Sequence, residues 1–341
     1  MELGERKKQV LRTIIEAYIR TGEPIGSKAI VEYLDNTVSS ATIRNDMAEL
    51  SANGLLDQPH TSAGRVPTVA AFRLYIDRLM PRRRLDEHSR HEIDGMLESC
   101  SRDPEKLVDM ASRALAEETR CAAVTTTPWE QDATVQRIEF LPMSSQVAAV
   151  ILMTGSGIVR SRVARFDRNL PLPVLSRLAD ELRRRFIGVA LSDIGIIEAQ
   201  STMAAMGEHG LRCAPLITAF VDLVAEAARF ELLLAGQMNL LQRSDLTQES
   251  ARGILQFLTQ RDQLIHMLSA HSGGLRVVLG EESPRPELAG SGIIVTRYQG
   301  GHSAGSIGVI GPLRMDYAQL IPRVEYFAGA LGRVLTELME E

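Results

Sequence analysis

The amino-acid sequence predicts an α+β protein with more than one domain. Three helical segments follow one another within the first 54 residues, and two short strand-like runs come directly after them. Three further strand-like runs stand in series over 135–166, and glycine-broken strands recur near the C-terminus. At 341 residues, the chain is long enough for two or three domains with separate cores.

Apolar spacing predicts the first two helices. In the first, apolar residues recur at intervals of three and four, at Leu11, Ile14, Ile15, Tyr18 and Ile19. Gly22 ends this helix, as glycine often does. The second helix is short, covers about 27–34 and turns Ala29, Ile30 and Leu34 inward. We therefore expect two helices separated by a turn.

The third predicted helix follows a serine pair, Ser39-Ser40, whose hydroxyls suit an N-cap. Its buried stripe is Ile43, Met47 and Leu50, and Asn53-Gly54 ends it. The opposite face is formed by small and polar residues, Ala41, Asn45, Ala48 and Ala52, flanked by Thr42 and Arg44. Small residues allow close approach to a surface, while an amide and a guanidinium can read adenine and guanine edges.

Two short strands are predicted after the third helix, in "LLDQ" and "RVPT", around a turn-like "PHTSAG". A short helix, a turn, a longer helix and a two-stranded tip together predict a winged helix-turn-helix. Such folds also dock proteins, and a polar helix face is often only solvated. The pattern favours DNA binding over those two alternatives.

The charge and composition are ordinary for a soluble globular protein. Residues 1–85 hold 13 Lys and Arg against 10 Asp and Glu, whereas the remainder carries a net charge of −8. A basic head on an acidic body suggests a polyanionic partner for the head. No apolar run is long enough for a bilayer span, and the charged N-terminus does not resemble a secretory signal. Three scattered cysteines, Cys100, Cys121 and Cys213, suit a reducing cytoplasm and are expected to be buried.

One stretch raises the alternative of a serine hydrolase. Residues 301–305, "GHSAG", fit the pattern of a nucleophile elbow around Ser303. The runs on either side read as two strands, and no histidine follows His302. We therefore predict a hairpin loop, in which Gly300, Gly301 and Gly305 supply positive φ angles. His88 and His91 are three residues apart on a predicted helix, but no further ligand stands nearby, so neither a metal nor a cofactor site is expected.

The remaining segments predict an alternation of helices and strands. Asp103 followed by Pro104 is typical of a helix start, with a helix expected to about Glu118. Strands are expected in "CAAVTTT", "VQRIEFL", "QVAAVILM" and "GIVRSRVARF", and helices over 171–187, 213–228 and 248–268. Strands "LRVVLG", "GIIVTRY" and "SIGVIGP" then precede a long final helix, in which a kink is expected at Pro322.

Several blocks resemble one family. "GSKAI", "SSATIRNDMAELSANGLLDQPHTSAGRVPT", "FRLYIDRLM", "GQMNLL" and "GVIGPLRMDYAQLIPRVEYF" are similar to the motifs of the HrcA-type heat-inducible transcription repressors. The resemblance implies an N-terminal winged helix-turn-helix over 1–85. It also implies a discontinuous GAF-like α/β sheet domain over 86–130 and 230–341, interrupted by an inserted α+β dimerisation domain over 131–229.

The resemblance further implies a cytoplasmic, nucleoid-associated homodimer that binds double-stranded DNA. Its target would be an inverted-repeat (CIRCE-type) operator of chaperonin and Hsp70 operons, with the chaperonin as modulator and no membrane partner. We expect Ala41, Arg44 and Asn45 to face bases. The residues expected to hold phosphates are Ser27, Lys28, Ser40 and Thr42, and those expected to contact the backbone or minor groove from the wing are His60, Thr61, Ser62 and Arg65.

Two other hypotheses belong to different classes. GAF-like domains often bind small molecules, so the body could sense a metabolite and control the head, although no cofactor motif is present. An enzyme using Ser303 is the third hypothesis. A thermal shift with common nucleotides and an esterase assay of Ser303→Ala would discriminate between them.

Overall fold

The computed structural model describes residues 3–34, 38–60, 64–81, 83–99, 103–128, 133–155, 158–166, 170–229, 231–243, 245–269, 273–301 and 303–340. They group into two compact units. The first comprises Met1–Thr125, Leu232–Tyr298 and Ser306–Leu331. The second comprises Thr126–Glu231, Gln299–Gly305 and Gly332–Glu341.

The N-terminal part of the first unit is three helices, a two-stranded sheet and a fourth helix. In chain order they are α1 (Glu5–Thr21), α2 (Ser27–Tyr33), α3 (Ser40–Ala52), β1 (Leu56–Asp57), β2 (Val66–Pro67) and α4 (Val69–Leu74). The last helix continues as a wider π-type turn over Tyr75–Leu79. The predicted apolar stripes form the core here, since Leu11, Ile14, Ile30 and Ile43 are fully buried. We call Glu5–Leu79 the head.

Two helices lead from the head into the rest of the unit, α5 (Glu87–Glu98) and α6 (Pro104–Thr119), followed by β3 (Ala122–Thr126). The start of α6 agrees with the sequence prediction, because the Asp103 carboxylate accepts a hydrogen bond from the Glu105 N–H and Pro104 occupies the first turn.

The second unit begins with an antiparallel three-stranded sheet, in the order β4-β5-β6, and continues with three helices. Its elements are β4 (Val135–Ser144), β5 (Val147–Thr154), β6 (Val159–Arg165), α7 (Leu172–Phe186), α8 (Ile196–Ala205) and α9 (Gly210–Ala227). One face of the sheet packs against α7 and α9 through a core that includes Val150, Leu152, Leu178 and Phe220. The sequence did not predict α8.

The chain then returns to the first unit and completes a five-stranded sheet in the order β7-β3-β10-β9-β8. The remaining elements are β7 (Leu232–Ala235), α10 (Gln237–Gln242), α11 (Gln248–Thr259), α12 (Arg261–Ser269), β8 (Arg276–Leu279), β9 (Ser291–Gly300), β10 (Ser303–Pro312) and α13 (Tyr317–Glu340). The helix expected over 248–268 is two helices, because the backbone leaves the helical region at Gln260. Pro322 lies inside α13, and the kink expected there stays a prediction.

Candidate nucleic-acid interface

The outer face of α3 is exposed and carries the residues that the sequence placed there. The Ser39 hydroxyl accepts a hydrogen bond from the Thr42 N–H at 3.2 Å, so Ser39 is the N-cap of the helix. Exposed along one side are Ala41, Arg44, Asn45, Ala48 and Ala52. This face is small and polar along its length, as a helix that enters a groove requires.

Two of the residues expected to hold phosphates, Ser27 and Ser40, lie together with Arg44, one of the residues expected to face bases. The hydroxyl oxygens of Ser27 and Ser40 lie 3.2 Å apart, and Arg44 Nε is 3.4 Å from the Ser27 hydroxyl. Ser27 opens α2, whereas Ser40 opens α3, so the turn between these helices brings both hydroxyls to one place. Lys28 is exposed beside them, and Thr42 is half-buried. We call Ser27, Ser40 and Arg44 the hydroxyl–guanidinium cluster.

An ion pair behind α3 was not predicted. Arg6 donates from Nε and Nη2 to the two carboxylate oxygens of Asp46, at 2.8 and 3.0 Å. The Asp46 side chain is only 2% exposed, and it belongs to the buried stripe with Ile43, Met47 and Leu50. Positions 43, 46, 47 and 50 follow helical spacing, so the sequence did contain the signal that Asp46 faces inward. Its partner, 40 residues away, could not be found from spacing.

The wing is anchored to the turn before α2. Leu56 pairs with Pro67, and Asp57 pairs with Val66, in an antiparallel ladder. Ile25 and Arg65 exchange both backbone hydrogen bonds, each 2.9 Å long. Gly64 makes this approach possible, because a Cβ atom there would lie 2.5 Å from the carbonyl oxygen of Ile25. The base of the wing is thus held against the segment that leads into the hydroxyl–guanidinium cluster.

The four wing residues expected to contact DNA have different positions. His60 is exposed, whereas Thr61 and Ser62 lie outside the described residues. Arg65 is half-buried, and its Nε finds no hydrogen-bond partner within the described part of the chain.

Comparison with known proteins identifies the family. Residues 2–78 match the family described as "Winged helix-turn-helix transcription repressor, HrcA DNA-binding". Residues 105–321 match the family described as "HrcA protein C terminal domain". The chain belongs to the HrcA family. It therefore has an N-terminal winged-helix DNA-binding domain, as the sequence predicted.

Relatives along nearly the whole chain carry one name, "Heat-inducible transcription repressor HrcA". The protein of Mycolicibacterium vanbaalenii is 34% identical, and the alignment covers 97% of this chain and 98% of that protein. That of Geobacter sulfurreducens is 32% identical, with 98% of each chain covered. A crystal structure of a hypothetical protein shares the fold, at a TM-score of 0.65, 24% identity, and coverage of 99% of this chain and 100% of that one.

The HrcA assignment agrees with the prediction that the chain is a regulator and not an enzyme, because these relatives are named as repressors. The hydrolase-like stretch is a strand connection: β9 ends at Gly300, β10 begins at Ser303, and Ser303 is buried. The expectation of three positive φ angles there was wrong. Gly301 has a φ of 58°, whereas Gly300 and Gly305 lie within the strands.

Metal ligands, cysteines and membrane-spanning helices can be assessed over the ranges that the structure describes. No group of three or more potential metal ligands occurs there. Cys121 and Cys213 are buried, as expected, and Cys100 lies outside the described residues. No helix in the described part of the chain has both the length and the apolar character that crossing a bilayer requires.

Proposed function

We propose that this member of the HrcA family is a cytoplasmic, nucleoid-associated homodimeric repressor of heat-shock chaperone operons. It binds the inverted-repeat (CIRCE-type) operator of chaperonin and Hsp70 operons through α3 and the wing. The observation that carries the proposal is the hydroxyl–guanidinium cluster, which joins the openings of α2 and α3 beside an exposed small-residue face. Two hydroxyls and a guanidinium at one end of such a helix suit phosphates and a neighbouring base edge.

Each residue has a proposed role in this complex. Ala41 allows the backbone of α3 to approach the bases, Arg44 reads guanine, and Asn45 reads adenine. From the wing, His60, Thr61, Ser62 and Arg65 contact the backbone or the minor groove. The contacts to phosphate, which set affinity rather than sequence preference, come from Ser27, Lys28, Ser40 and Thr42.

We assign domains over 1–85, over 86–130 with 230–341, and over 131–229, with the last as the dimerisation domain. The three-stranded sheet of the second unit supports this role. Leu141 of β4 and Val163 of β6 flank Ala149 of β5 in register, and both outer residues are more than half exposed. A second copy of this chain is the proposed occupant of that apolar face, since an inverted repeat has the two-fold symmetry of a dimer.

Light scattering tests this interface. The double variant Leu141→Lys, Val163→Lys should be monomeric at concentrations where the unchanged chain is dimeric, because two buried lysines on each side repel. Glu117→Lys, at an exposed position of α6 in the first unit, is the control and should remain dimeric. A double variant that is still dimeric would place the interface elsewhere.

Regulation by heat is proposed to act through the folding of the repressor itself. The relatives are named heat-inducible, and a chaperonin that assists refolding would raise the active fraction. When unfolded proteins occupy the chaperonin, active repressor falls and the operons are expressed. A change of about 1–2 kcal/mol in stability is enough to alter such a fraction severalfold. Recovery of full operator binding after heating, without chaperonin, would contradict this mechanism.

Fluorescence anisotropy across a salt series tests DNA recognition. The labelled duplexes are the inverted repeat from a chaperonin-operon promoter of the source organism and a scrambled sequence of the same composition. Specific recognition predicts a preference of about 10³-fold or more for the repeat. Equal and steeply salt-dependent binding to both duplexes, unchanged by added chaperonin, would overturn the proposal.

A further inference from the structure

The last turn of α1 contacts an arginine in the connection that follows strand β10 of the same unit. Arg314 lies between β10 and α13, and its Nη1 donates to the backbone carbonyls of Tyr18 and Ile19 at 3.3 and 2.8 Å. Its guanidinium carbon is also 5.9 Å from the centre of the Tyr18 ring. The side chain is 19% exposed, so this contact is largely shielded from water. The head is therefore attached to the sheet at the C-terminal end of α1.

The chemistry at this end of α1 suits a cation. The last carbonyls of a helix lack partners within it and carry the negative end of the helix dipole, which a guanidinium stabilises. Gly22 ends the helix with a φ of 72° and leaves room for Arg314. A Cβ atom at position 22 would lie 2.8 Å from the guanidinium carbon. Both the backbone and the side-chain space at this junction thus fit Arg314.

A buried carboxylate holds Arg314 in place. Asp245 is 7% exposed, lies 3.6 Å from Arg314 Nη2, and accepts two hydrogen bonds of 2.8 Å from Arg243. Burial alone would raise the pKa of Asp245, but the hydrogen bonds and charge of Arg243, with the charge of Arg314, hold that pKa below its ordinary value. The carboxylate is therefore ionised at neutral pH and fixes both guanidinium groups.

A second attachment lies on α4. Arg73 donates to the Glu282 carboxylate at 2.7 Å and to the Val277 carbonyl at 2.8 Å. The neighbouring Phe72 ring packs 6.1 Å from the ring of Tyr317. These partners belong to the sheet region and to α13, whereas Arg73 and Phe72 belong to the head. A swivel of the head on the sheet would break the contacts at α1, at α4, or at both.

We propose that Arg314, positioned by Asp245, determines which operator spacing this protein accepts. It restricts the angle of the head on the sheet of the first unit and so, in the dimer, narrows the range of distances and rotational phases that the two α3 helices can adopt. This inference rests on the proposed function, because it requires a dimer that reads two half-sites.

The geometry of DNA makes the angle of the head matter. Adding one base pair between half-sites separates them by about 3.4 Å and rotates one relative to the other by about 35°. A head that is held on the sheet at two places resists such a rotation, so a shifted spacer should weaken binding to the second half-site. A head released at α1 can follow this rotation and reach a half-site at a shifted spacing. On the correct spacer, the effective concentration of the second head at its half-site is then lower.

The test compares full-length protein and its Arg314→Ala variant on a set of duplexes. The set contains the promoter inverted repeat, the same repeat with the spacer changed by one and two base pairs, and a single half-site. The unchanged protein should bind the promoter spacer at least about tenfold more tightly than the shifted ones, a difference of about 1.4 kcal/mol. In Arg314→Ala this preference should largely disappear, while affinity for the half-site stays the same.

Two further variants control the experiment. Arg113→Ala removes an exposed arginine of α6 that pairs with Asp109 on the same helix, and it should keep the spacing preference. Asp245→Asn retains side-chain volume but removes the charge that holds Arg314, and it should flatten the preference as Arg314→Ala does. It also provides the measurement if Arg314→Ala does not fold, which a thermal melt would show.

The outcomes separate the inference from the function beneath it. An unchanged spacing preference in both variants would overturn the role of Arg314. An equal loss on the half-site and on every spacer would also overturn it, because Arg314 would then only stabilise the head. If the unchanged protein bound the promoter repeat no better than a scrambled duplex, the proposed function would fail first.

Discussion

Arg6 and Asp46 form a two-pronged ion pair that joins the first turn of α1 to the middle of α3. Its carboxylate is buried, whereas the guanidinium is more than half exposed. Lys7 and Glu49, one helical turn further along α3, make a second and more exposed pair. The inner side of α3 is thus held by charge as well as by apolar packing.

Removal of Arg6 should therefore cost stability. Arg6→Gln leaves the buried Asp46 carboxylate without its counter-ion, so the melting temperature should fall by several degrees and operator binding should weaken. The double variant Arg6→Gln, Asp46→Leu should recover much of the loss, since Leu suits a buried stripe and no charge remains unpaired. Circular dichroism melts measure both. A double variant less stable than Arg6→Gln would contradict this account.

Arg44 should contribute to the preference for the operator sequence, whereas Lys28 should contribute only to the affinity for DNA. Arg44→Ala should cost about 1–3 kcal/mol of operator binding and relax the preference at one base pair. Lys28→Ala should weaken binding to operator and scrambled DNA alike, and reduce the salt dependence by about one counter-ion. Anisotropy titrations at several salt concentrations distinguish the two. An unchanged dissociation constant in Arg44→Ala would remove Arg44 from the reading face.

Gly64 and Gly95 should respond to alanine in opposite directions. Gly64→Ala places a Cβ atom against the Ile25 carbonyl, so the wing must shift, and stability and operator affinity should both fall. Gly95 lies in an exposed part of α5, and a Cβ atom at this position would have no atom within 4 Å apart from the neighbouring residues and backbone of its own helix. Gly95→Ala should therefore stabilise the chain by about 0.5–1 kcal/mol, because alanine loses less backbone entropy in a helix. Thermal melts decide the sign in each case.

The two described cysteines should be inert in the native protein. Burial raises the pKa of the Cys121 thiol to about 11 and also raises the pKa of Cys213. Both thiols therefore stay protonated and shielded at a pH of about 8.5, which is the pKa of a free cysteine. An exposed thiol reacts at that pH because much of it is ionised. In a Cys100→Ser background, a thiol reagent should label neither residue until guanidinium unfolds the chain. Rapid labelling of one thiol under native conditions would show that its surroundings open readily.

Local signals in the sequence were sufficient to predict α3. Ser39 caps it, Ile43, Met47 and Leu50 line its buried side, and Asn53 ends it, as predicted. Each of these features depends on residues within one or two helical turns, where spacing and capping chemistry act directly. The same holds for the start of α6 at Asp103.

Prediction was weaker where distant contacts select the structure. The segment 248–268 has a continuous helical pattern, yet it divides near Gln260, and α11 and α12 both contribute to one core. The two apolar residues at the start of α8, Ile196 and Ile197, are exposed. They do not belong to a buried stripe of the kind from which the other helices were predicted. Gly300 and Gly305 were assigned to a turn by composition, but Gly300 is the last residue of β9 and Gly305 lies inside β10.

The sequence by itself determined the winged-helix head, the outward face of α3 and the family motifs, because these depend on short-range spacing. Tertiary structure alone decided which charges meet: Arg6 with Asp46, Arg73 with Glu282, and Arg314 with the end of α1. Pairs separated by 40 to 295 residues leave no periodic trace in a sequence. They form because folding brings the two groups together, and a charge that becomes buried, such as the Asp46 carboxylate, is stable only with a partner.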